Sequence, residues 1–559
     1  MGRALAGSWV LAASVLLVAA VAPFERPLPG VIFGFTLTTA ELAIVAALAS
    51  GALAWWREPS AFDWRTPITW PLATLVVLAW VTAAMAPEFR GESLRVAGRM
   101  AVAVLLFLLV ANVVTDGRAY RQVVAALLGA AAVVGAIAIL ELAQVPWVLD
   151  ALTGFRPGFH VVGGQLRASS TLFYPTITSM FLEVAFALGL VWLASSRLAF
   201  LGLVLTGAGV IATFTRAGLI TMTISMIVYG AVLYARGRQW TTEHTRLAAL
   251  AVVLIALVLL SRSPQMLVAR ISTEGSQDWY GATYEVPQRL TLRPDSFNDI
   301  SVTLNNRGRL SWQSSAVPPF ALSYHWLTLD TEEVVIYDGL RTPFPAPVEP
   351  GAEVTMPARV RAPGYPGKYL LVWDVVQEHR TWLSLEGVFP GRTIASVEGD
   401  PVGAPLPTRG RMPSSVMRMP RAELWSTALT IWREHPLFGI GPDNFRRVYG
   451  RYLGLAAWDA RVHANNSYIE VLVGMGVFAV GAMAWLAASG VASTRRLVAG
   501  ATDRQLPLAA AAAAACLAIA MHALVDSFLT FTPTYAAFAI AAGLLYSRAL
   551  TGGNDAHRV

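Results

Sequence analysis

The sequence predicts an all-helical polytopic membrane protein that carries an inserted extracytoplasmic β-sandwich. Apolar residues make up 55% of the 559 positions and charged ones 14%, with a mean hydropathy of +0.54; soluble domains carry about 25% charged residues. The apolar residues fall in blocks of about 18 to 25, the length that crosses a hydrocarbon core of about 30 Å as a helix. Between about 286 and 398 those blocks give way to short alternating runs.

About twelve spans are expected, near 8–24, 31–56, 67–86, 94–115, 119–145, 171–194, 198–215, 217–235, 247–261, 466–490, 506–526 and 531–548. The first follows Met1-Gly2-Arg3, shows no small-residue cleavage site, and runs through Pro23 to Pro29 into the next span. It reads as an uncleaved helix. Arg118 and Arg121, then Arg236, Arg238 and Arg246, then Arg495, Arg496 and Arg504 fall in loops of one parity, joined by Arg3, Arg197 and Arg548. By the positive-inside rule both termini are cytoplasmic and the insert is outside. The net charge of +7 reflects this bias and does not indicate nucleic acid as a partner. The chain divides into spans one to nine (1–261), the insert (262–420), an outer surface helix and loop (421–465), and spans ten to twelve with a cytoplasmic tail (466–559).

Within the insert, the runs 301–304, 321–327, 333–337, 353–356 and 368–373 read as strands. Asn306-Arg307-Gly308, Asp338-Gly339, Glu349-Pro350-Gly351, Pro363-Gly364 and Pro366-Gly367 separate them as turns. LNNRGRLSW, PGAEVTMPARVRAP and PGKYLLVWDVVQ resemble bacterial immunoglobulin-like modules, which implies an accessory that contacts glycan or docks a partner. Trp312, Trp326, Trp373 and Trp382 either stack sugars or fill the core, and core is the commoner fate of such residues. Cys516 is the single cysteine, so no intrachain disulfide helps hold the insert. Lys368 is the sole lysine, and arginine supplies the rest of the positive charge.

Arginine near hydrocarbon costs roughly 2.5–3.5 kcal/mol on insertion scales and requires a reason. Arg95 and Arg99, in SLRVAGRM, lie four apart at the outer start of the fourth span; Arg167 precedes STLFYPT; Arg216 sits in the outer turn TFTRAGL. Each can pair with an acid such as Glu88, Glu92 or Glu183, or snorkel to headgroups. Together, on the outer side, they suit an anion, because guanidinium makes bidentate bonds to phosphate oxygens.

Residues 421–435 have helical period, with Leu424, Ala428, Ile431 and Trp432 on one face, and Pro436 ends the run. A helix lying on the outer membrane surface is expected. Arg461-Val-His463-Ala-Asn465-Asn466-Ser467-Tyr468 then leads into an apolar helix. Asn465 or Asn466 suits its N-cap, and the helix start favours an anionic group. His463 has the ordinary pKa of a general base. His522 and Asp526, four apart at the outer end of the eleventh span, either satisfy each other, orient an acceptor, or meet His463. No close set of metal ligands, no P-loop and no dinucleotide fingerprint appears.

R-x-x-L-W-x-x-A-L-x-x-W-x-x-H-P-L-F-G-I-G-P-x-N-F from Arg421, and HANNSYIEVLVGMG from His463, resemble the O-antigen ligase and polymerase superfamily. The resemblance implies a lipid-donor glycosyltransferase fold with a cavity toward the outer leaflet of the bacterial inner membrane. The donor would be a glycan on a polyprenyl diphosphate; the acceptor a glycan, lipid or protein hydroxyl; no metal or other cofactor is implied. RASSTLFYPT matches one motif with Thr176 in place of the usual Asn, and TFTRAG matches a second. Arg167 and Arg216 are then the diphosphate ligands, with Arg99 behind them. Arg95, Arg421, Arg461, Asn465, Asn466, Tyr468, His522 and Asp526 are the further substrate contacts. Members of the family read H-x-H-N; here Asn465 stands at the second His, so His463 either substitutes for it or the reaction relies on positioning. A polymerase uses the same donor. A transporter or flippase would show internal repeats and midplane charge, and a non-catalytic scaffold would need neither His463 nor the outer arginines.

Overall fold

The computed structural model describes all residues except 1–7, 29–36, 157, 163–164, 238, 273–278, 317, 379, 409, 411, 413–420, 456–457, 528–530 and 553–559. Arg3, Arg238, Pro29 and the start of the second expected span thus lie outside the described residues. The chain forms two compact units. One comprises Met1–His160, Arg167–Ser261 and Pro420–Val559, the other Val161–Leu166 and Arg262–Met419.

In chain order the first helices are α1 (Ser8–Val21), α2 (Thr39–Arg57), α3 (Thr69–Met85), α4 (Arg90–Val113), α5 (Gly117–Leu142) and α6 (Pro146–Leu152). The short strands β1 (His160–Val162) and β2 (Gln165–Arg167) follow, then α7 (Pro175–Gly189), α8 (Arg197–Ala212), α9 (Arg216–Gly237), α10 (Thr242–Ser261) and α11 (Pro264–Ser272). Strands β3 (Ala282–Glu285), β4 (Arg289–Leu292), β5 (Phe297–Asn306), β6 (Phe320–Thr328), β7 (Val334–Ile336) and β8 (Thr342–Pro343) come next. β9 (Glu353–Arg361), β10 (Gly367–Gln377), β11 (Thr381–Trp382) and β12 (Gly391–Val397) complete the β region. The chain ends with α12 (Arg421–Glu434), α13 (Phe445–Tyr452), α14 (Ser467–Gly500), α15 (Leu506–His522), α16 (Thr532–Leu545) and α17 (Arg548–Thr551).

A helix lies at each expected span, but among the described residues length and apolarity suffice for crossing in seven: α2, α4, α5, α7 with its 3-10 extension to Trp192, α9, α10 and α14. α3, α8, α15 and most of α1 are shorter apolar helices. The chain is therefore a polytopic membrane protein, and the expected number of crossings is not established.

α7 is the centre of the helical unit. Every residue in it but Thr176 is buried, the signature of a helix surrounded on all sides. It packs on α5, α8, α9, α15 and α16. Small residues let the backbones close in: a Cβ on Gly135 of α5 would meet Leu205 O of α8 at 2.2 Å. Several helix starts are fixed by the sequence, as where Thr38 and Glu41 close a capping box on α2. Arg236 donates to Ala499 O and Ala501 O at the end of α14, satisfying carbonyls the helix leaves open.

In the second unit the strands form a seven-stranded sheet, ordered β4-β12-β10-β6-β7 with β8 and β11 attached, and a three-stranded sheet ordered β3-β5-β9. The expected runs all become strands because their alternation matches the pleat; β9, for instance, buries Met356, Ala358 and Val360 and exposes the residues between. The sheets are joined where Trp326 Nε1 donates to Arg361 O at 3.0 Å and Arg361 N donates to Tyr324 Oη at 2.9 Å. Trp312, Trp326 and Trp373 have no exposure and Trp382 only 9%. They are core, which overturns the sugar-stacking alternative: between packed faces no ring is open to a ligand.

Candidate active site

The site is organised by an exchange of backbone bonds. Gly476 sits inside α14 at φ 75, a left-handed conformation that glycine tolerates. The kink there redirects the helix ladder. Val473 O accepts from Ile440 N (3.0 Å), Gly474 O from Gly441 N (2.8 Å), and Val477 N donates to Pro436 O (3.0 Å). The turn Gly439-Ile440-Gly441-Pro442 is thereby sewn to α14, and it delivers Asp443 and Asn444. Ser93 Oγ of α4 fixes the turn from another side by donating to Pro442 O at 3.0 Å.

His463 stands between two acids. Its Nδ1 is 3.4 Å from Asp443 Oδ1 and 3.6 Å from Glu470 Oε1, and its side chain is 13% exposed. Those separations are ion-pair contacts, longer than a well-formed hydrogen bond. Glu470 also accepts from Ala464 N at 2.7 Å, and Ala464 O accepts from Trp425 Nε1 at 2.8 Å, so α12 and α14 together shape the loop. Arg446 donates to Asp443 Oδ2 at 2.8 Å and to Ala460 O at 2.8 Å. Burial favours the neutral imidazole, yet Glu470 and Asp443 outweigh it and hold the ring above its ordinary pKa of 6.5, with Arg446 opposing. Burial also pushes the Asp443 carboxyl up, against His463 and Arg446. With Nδ1 turned to carboxylates, Nε2 is the nitrogen left to face a reactant.

Arg167 is buried. Its Nε donates to Thr213 O and its Nη2 to Thr215 Oγ1, both at 3.0 Å. These are neutral oxygens in the turn that ends at Arg216, the first residue of α9. Arg167, from the end of β2, is thus bonded to the turn that leads into Arg216. The Arg167 guanidinium also lies 5.8 Å from the Tyr174 ring centroid, and Tyr174 is electrostatically coupled to Arg461. Arg461 is bonded through Nε and Nη2 to Asp459 and remains 77% exposed. Arg99 is half-buried beside Glu25, whose carboxyl burial pushes up to about 7 despite a bond to Thr532 and the charge of Arg99. Thr532 follows Phe531, whose ring is 6.4 Å from that of His463.

Other expected contacts are occupied otherwise. Arg95 is exposed and paired with Glu92 at 3.3 Å; the four-residue spacing puts it on the same stripe as Arg99, but only Arg99 turns inward. Arg421 Nη2 donates to Val525 O at 3.1 Å. Asn466 is the N-cap of α14, accepting from Tyr468 N (3.0 Å) and Ile469 N (3.1 Å). Ser467 N donates to Ala523 O and Glu470 N to Asn466 O. The first four amides of α14 are thus satisfied, and the helix start offers no free donor to an anion. Asn465 takes a left-handed φ of 50 to enter that cap. Tyr468 Oη donates to Ala520 O at 2.8 Å, a strut between helices.

His522 does not pair with Asp526. The turn continues past α15, with Asp526 N donating to His522 O at 3.1 Å, but the two side chains turn to different partners. His522 Nδ1 instead lies 2.8 Å from Glu183 Oε1, and Thr221 Oγ1 donates to Glu183 Oε2 at 2.5 Å. Asp526 accepts from Ser527 N through its carboxylate and from Ser467 Oγ through its carbonyl. Fully buried, His522 meets neither an acceptor nor His463. The sequence reading missed Asp443 and the buried pair of Arg156 with Glu141, which also accepts from Ser169 N and Ser170 N, and it named Glu183 as a partner for arginine rather than for His522. Among the described residues no cluster of three or more His, Cys, Asp or Glu could hold a metal.

Residues 393–486 match the family model described as O-antigen ligase. The match covers α12, the turn, α13, the His463 loop and the first half of α14, and it supports the O-antigen ligase superfamily. A search of curated proteins finds no match.

Proposed function

We propose that this protein is a membrane glycosyltransferase that moves a glycan from a polyprenyl diphosphate to an acceptor hydroxyl on the outer face of the inner membrane. The reading rests most on one observation: Arg167 is docked on the turn that ends at Arg216, with its guanidinium near the Tyr174 ring. Guanidinium makes bidentate, charge-assisted bonds to phosphate oxygens, and diphosphate is the anion this family's donors carry.

In the proposed reaction Arg167 and Arg216 hold the diphosphate, and Arg99 approaches from α4. His463 Nε2 accepts the proton of the acceptor hydroxyl as that oxygen attacks the anomeric carbon. The bond from that carbon to the diphosphate oxygen breaks, and the arginines stabilise the departing charge. Asp443 and Glu470 keep the imidazole oriented and stabilise its protonated form, as the acid of a Ser-His-Asp triad does for its histidine. The β unit would lie outside and serve the glycan or a partner as an accessory.

Replacing Arg216 by Ala is the test. Transfer from a defined lipid-linked oligosaccharide should be abolished while the protein still accumulates in the membrane. Normal transfer by that variant removes Arg216 from the mechanism.

A further inference from the structure

The loop that runs from Arg167 to α7 is tied to α5 by a buried ion pair that the proposed reaction does not use. Glu141, one residue before the end of α5, has no exposure, and Arg156 has 4%. Arg156 Nη2 lies 2.5 Å from Glu141 Oε1. The second carboxylate oxygen, Oε2, accepts from two successive amides, Ser169 N at 3.1 Å and Ser170 N at 2.7 Å. Arg156 also reaches the loop itself, its Nε donating to Ser170 O at 3.1 Å and its Nη1 to Gly158 O.

Successive amides that converge on one point make a concavity for an anion. Here the Glu141 carboxylate fills it. Ser170 holds a left-handed φ of 51, which costs energy for a residue with a Cβ and persists only where the surroundings fix it. The surroundings do so: Ser170 Oγ donates to Val134 O at 3.0 Å, Thr171 Oγ1 to Pro23 O at 2.6 Å, and Thr178 Oγ1 to Ser169 O at 2.6 Å. On the other side Ala168 N donates to Ala212 O at 3.0 Å, next to Thr213, whose carbonyl accepts from Arg167 Nε. The backbone that carries Arg167 is thus anchored both to Glu141 and to the turn before Arg216.

We propose that Glu141, neutralised by Arg156, is a positioning residue for the diphosphate site. It sets the aim of Arg167 through the amides two and three residues further on, and it touches no ligand itself. The inference deepens the transferase reading and rests on it for Arg167 as a diphosphate ligand. A carboxylate is needed because every group around it donates. Glutamine offers one acceptor oxygen and would turn an NH2 donor toward Arg156 or toward the Ser169 and Ser170 amides. A pair that merely braced the helices would act on the whole unit. A positioning pair acts on a bound anion through Arg167, and its effect vanishes when that side chain is gone.

The test is a double-mutant cycle on the full chain in lipid nanodiscs, with inorganic pyrophosphate as the probe and calorimetry as the readout. Arg167→Ala should weaken binding at least about tenfold, the worth of a hydrogen bond to a charged group. Glu141→Gln alone should weaken it at least about fivefold, and in the Arg167→Ala background it should add less than about twofold, as for residues of one network. Should Glu141→Gln not accumulate, Arg156→Lys carries the same cycle: it keeps the charge opposite Glu141, but an ammonium cannot replace the planar fork that spans Glu141, Ser170 and Gly158. A loss of equal size with and without Arg167, or no loss at all, overturns the positioning role and leaves the diphosphate reading intact. If wild type does not bind pyrophosphate, or Arg167→Ala binds it as well as wild type, the diphosphate reading falls and takes this inference with it.

Discussion

His522 and His463 both turn Nδ1 toward carboxylates, His522 at 2.8 Å from Glu183 and His463 at 3.4 and 3.6 Å from Asp443 and Glu470. Around His522 the acid is held a second time by Thr221, the three residues come from α15, α7 and α9, and the ring has no exposure. Around His463 the partners come from a turn and a helix start, the contacts are looser, and part of the ring is open. The same pair of functional groups makes a clamp between helices in one place and, in the proposed reaction, a base in the other. What separates them is access and slack, not residue type.

The comparison breaks most directly at His463. His463→Ala should lower glycan transfer by about 10²–10⁴-fold, the usual contribution of a general base, with the folded protein retained; a loss under tenfold would make His463 structural. Glu183→Ala should do the reverse, destabilising the helical unit by about 3–5 kcal/mol because a buried partner is left uncompensated. A variant that unfolds at the wild-type midpoint would show that the clamp bears no weight. A finer test is Glu470→Gln, which keeps an oxygen for Ala464 N and removes a charge. Since Glu470 and Asp443 raise the His463 pKa, the base is neutral only above the ordinary 6.5, and the acid limb of the rate profile should lie there. The substitution should move that limb to lower pH; an unmoved limb would assign it to another group. The smallest effect is expected from Asn466→Ala, about 1 kcal/mol of stability for a lost N-cap, read as a lower midpoint with transfer per folded molecule little changed.

Sequence was most informative where the cause is local. Helices appear at the expected spans, strands at the alternating runs, and Asn466 at the cap its neighbours demand. The crossing number was harder, since α8 and α15 fold as apolar helices of 16 and 17 residues, at the short limit for a span. Partners distant in the chain were not legible. Nothing near His522 announces Glu183, and nothing in the sequence ties Asp443 to His463, twenty residues on. The Gly439-Ile440-Gly441-Pro442 turn is by itself a common pattern. Its meaning depends on Gly476, thirty-odd residues on, and a pair of glycine segments at compatible spacing was the one available signal. Asn465, at the position of the family's second histidine, leaves His463 as the titratable group of its loop segment, and that much was visible from the start.

The kink at Gly476 has an evolutionary consequence. Turn and helix complete one another's backbone bonding, and Glu88, Ser93 and Trp425 add ties to the same loop from elsewhere in the chain. A segment inserted between these anchors, as the β module is, can lengthen or shorten without cutting any of those ties. Architectures that differ widely in their inserted domains can in this way share a single reaction centre.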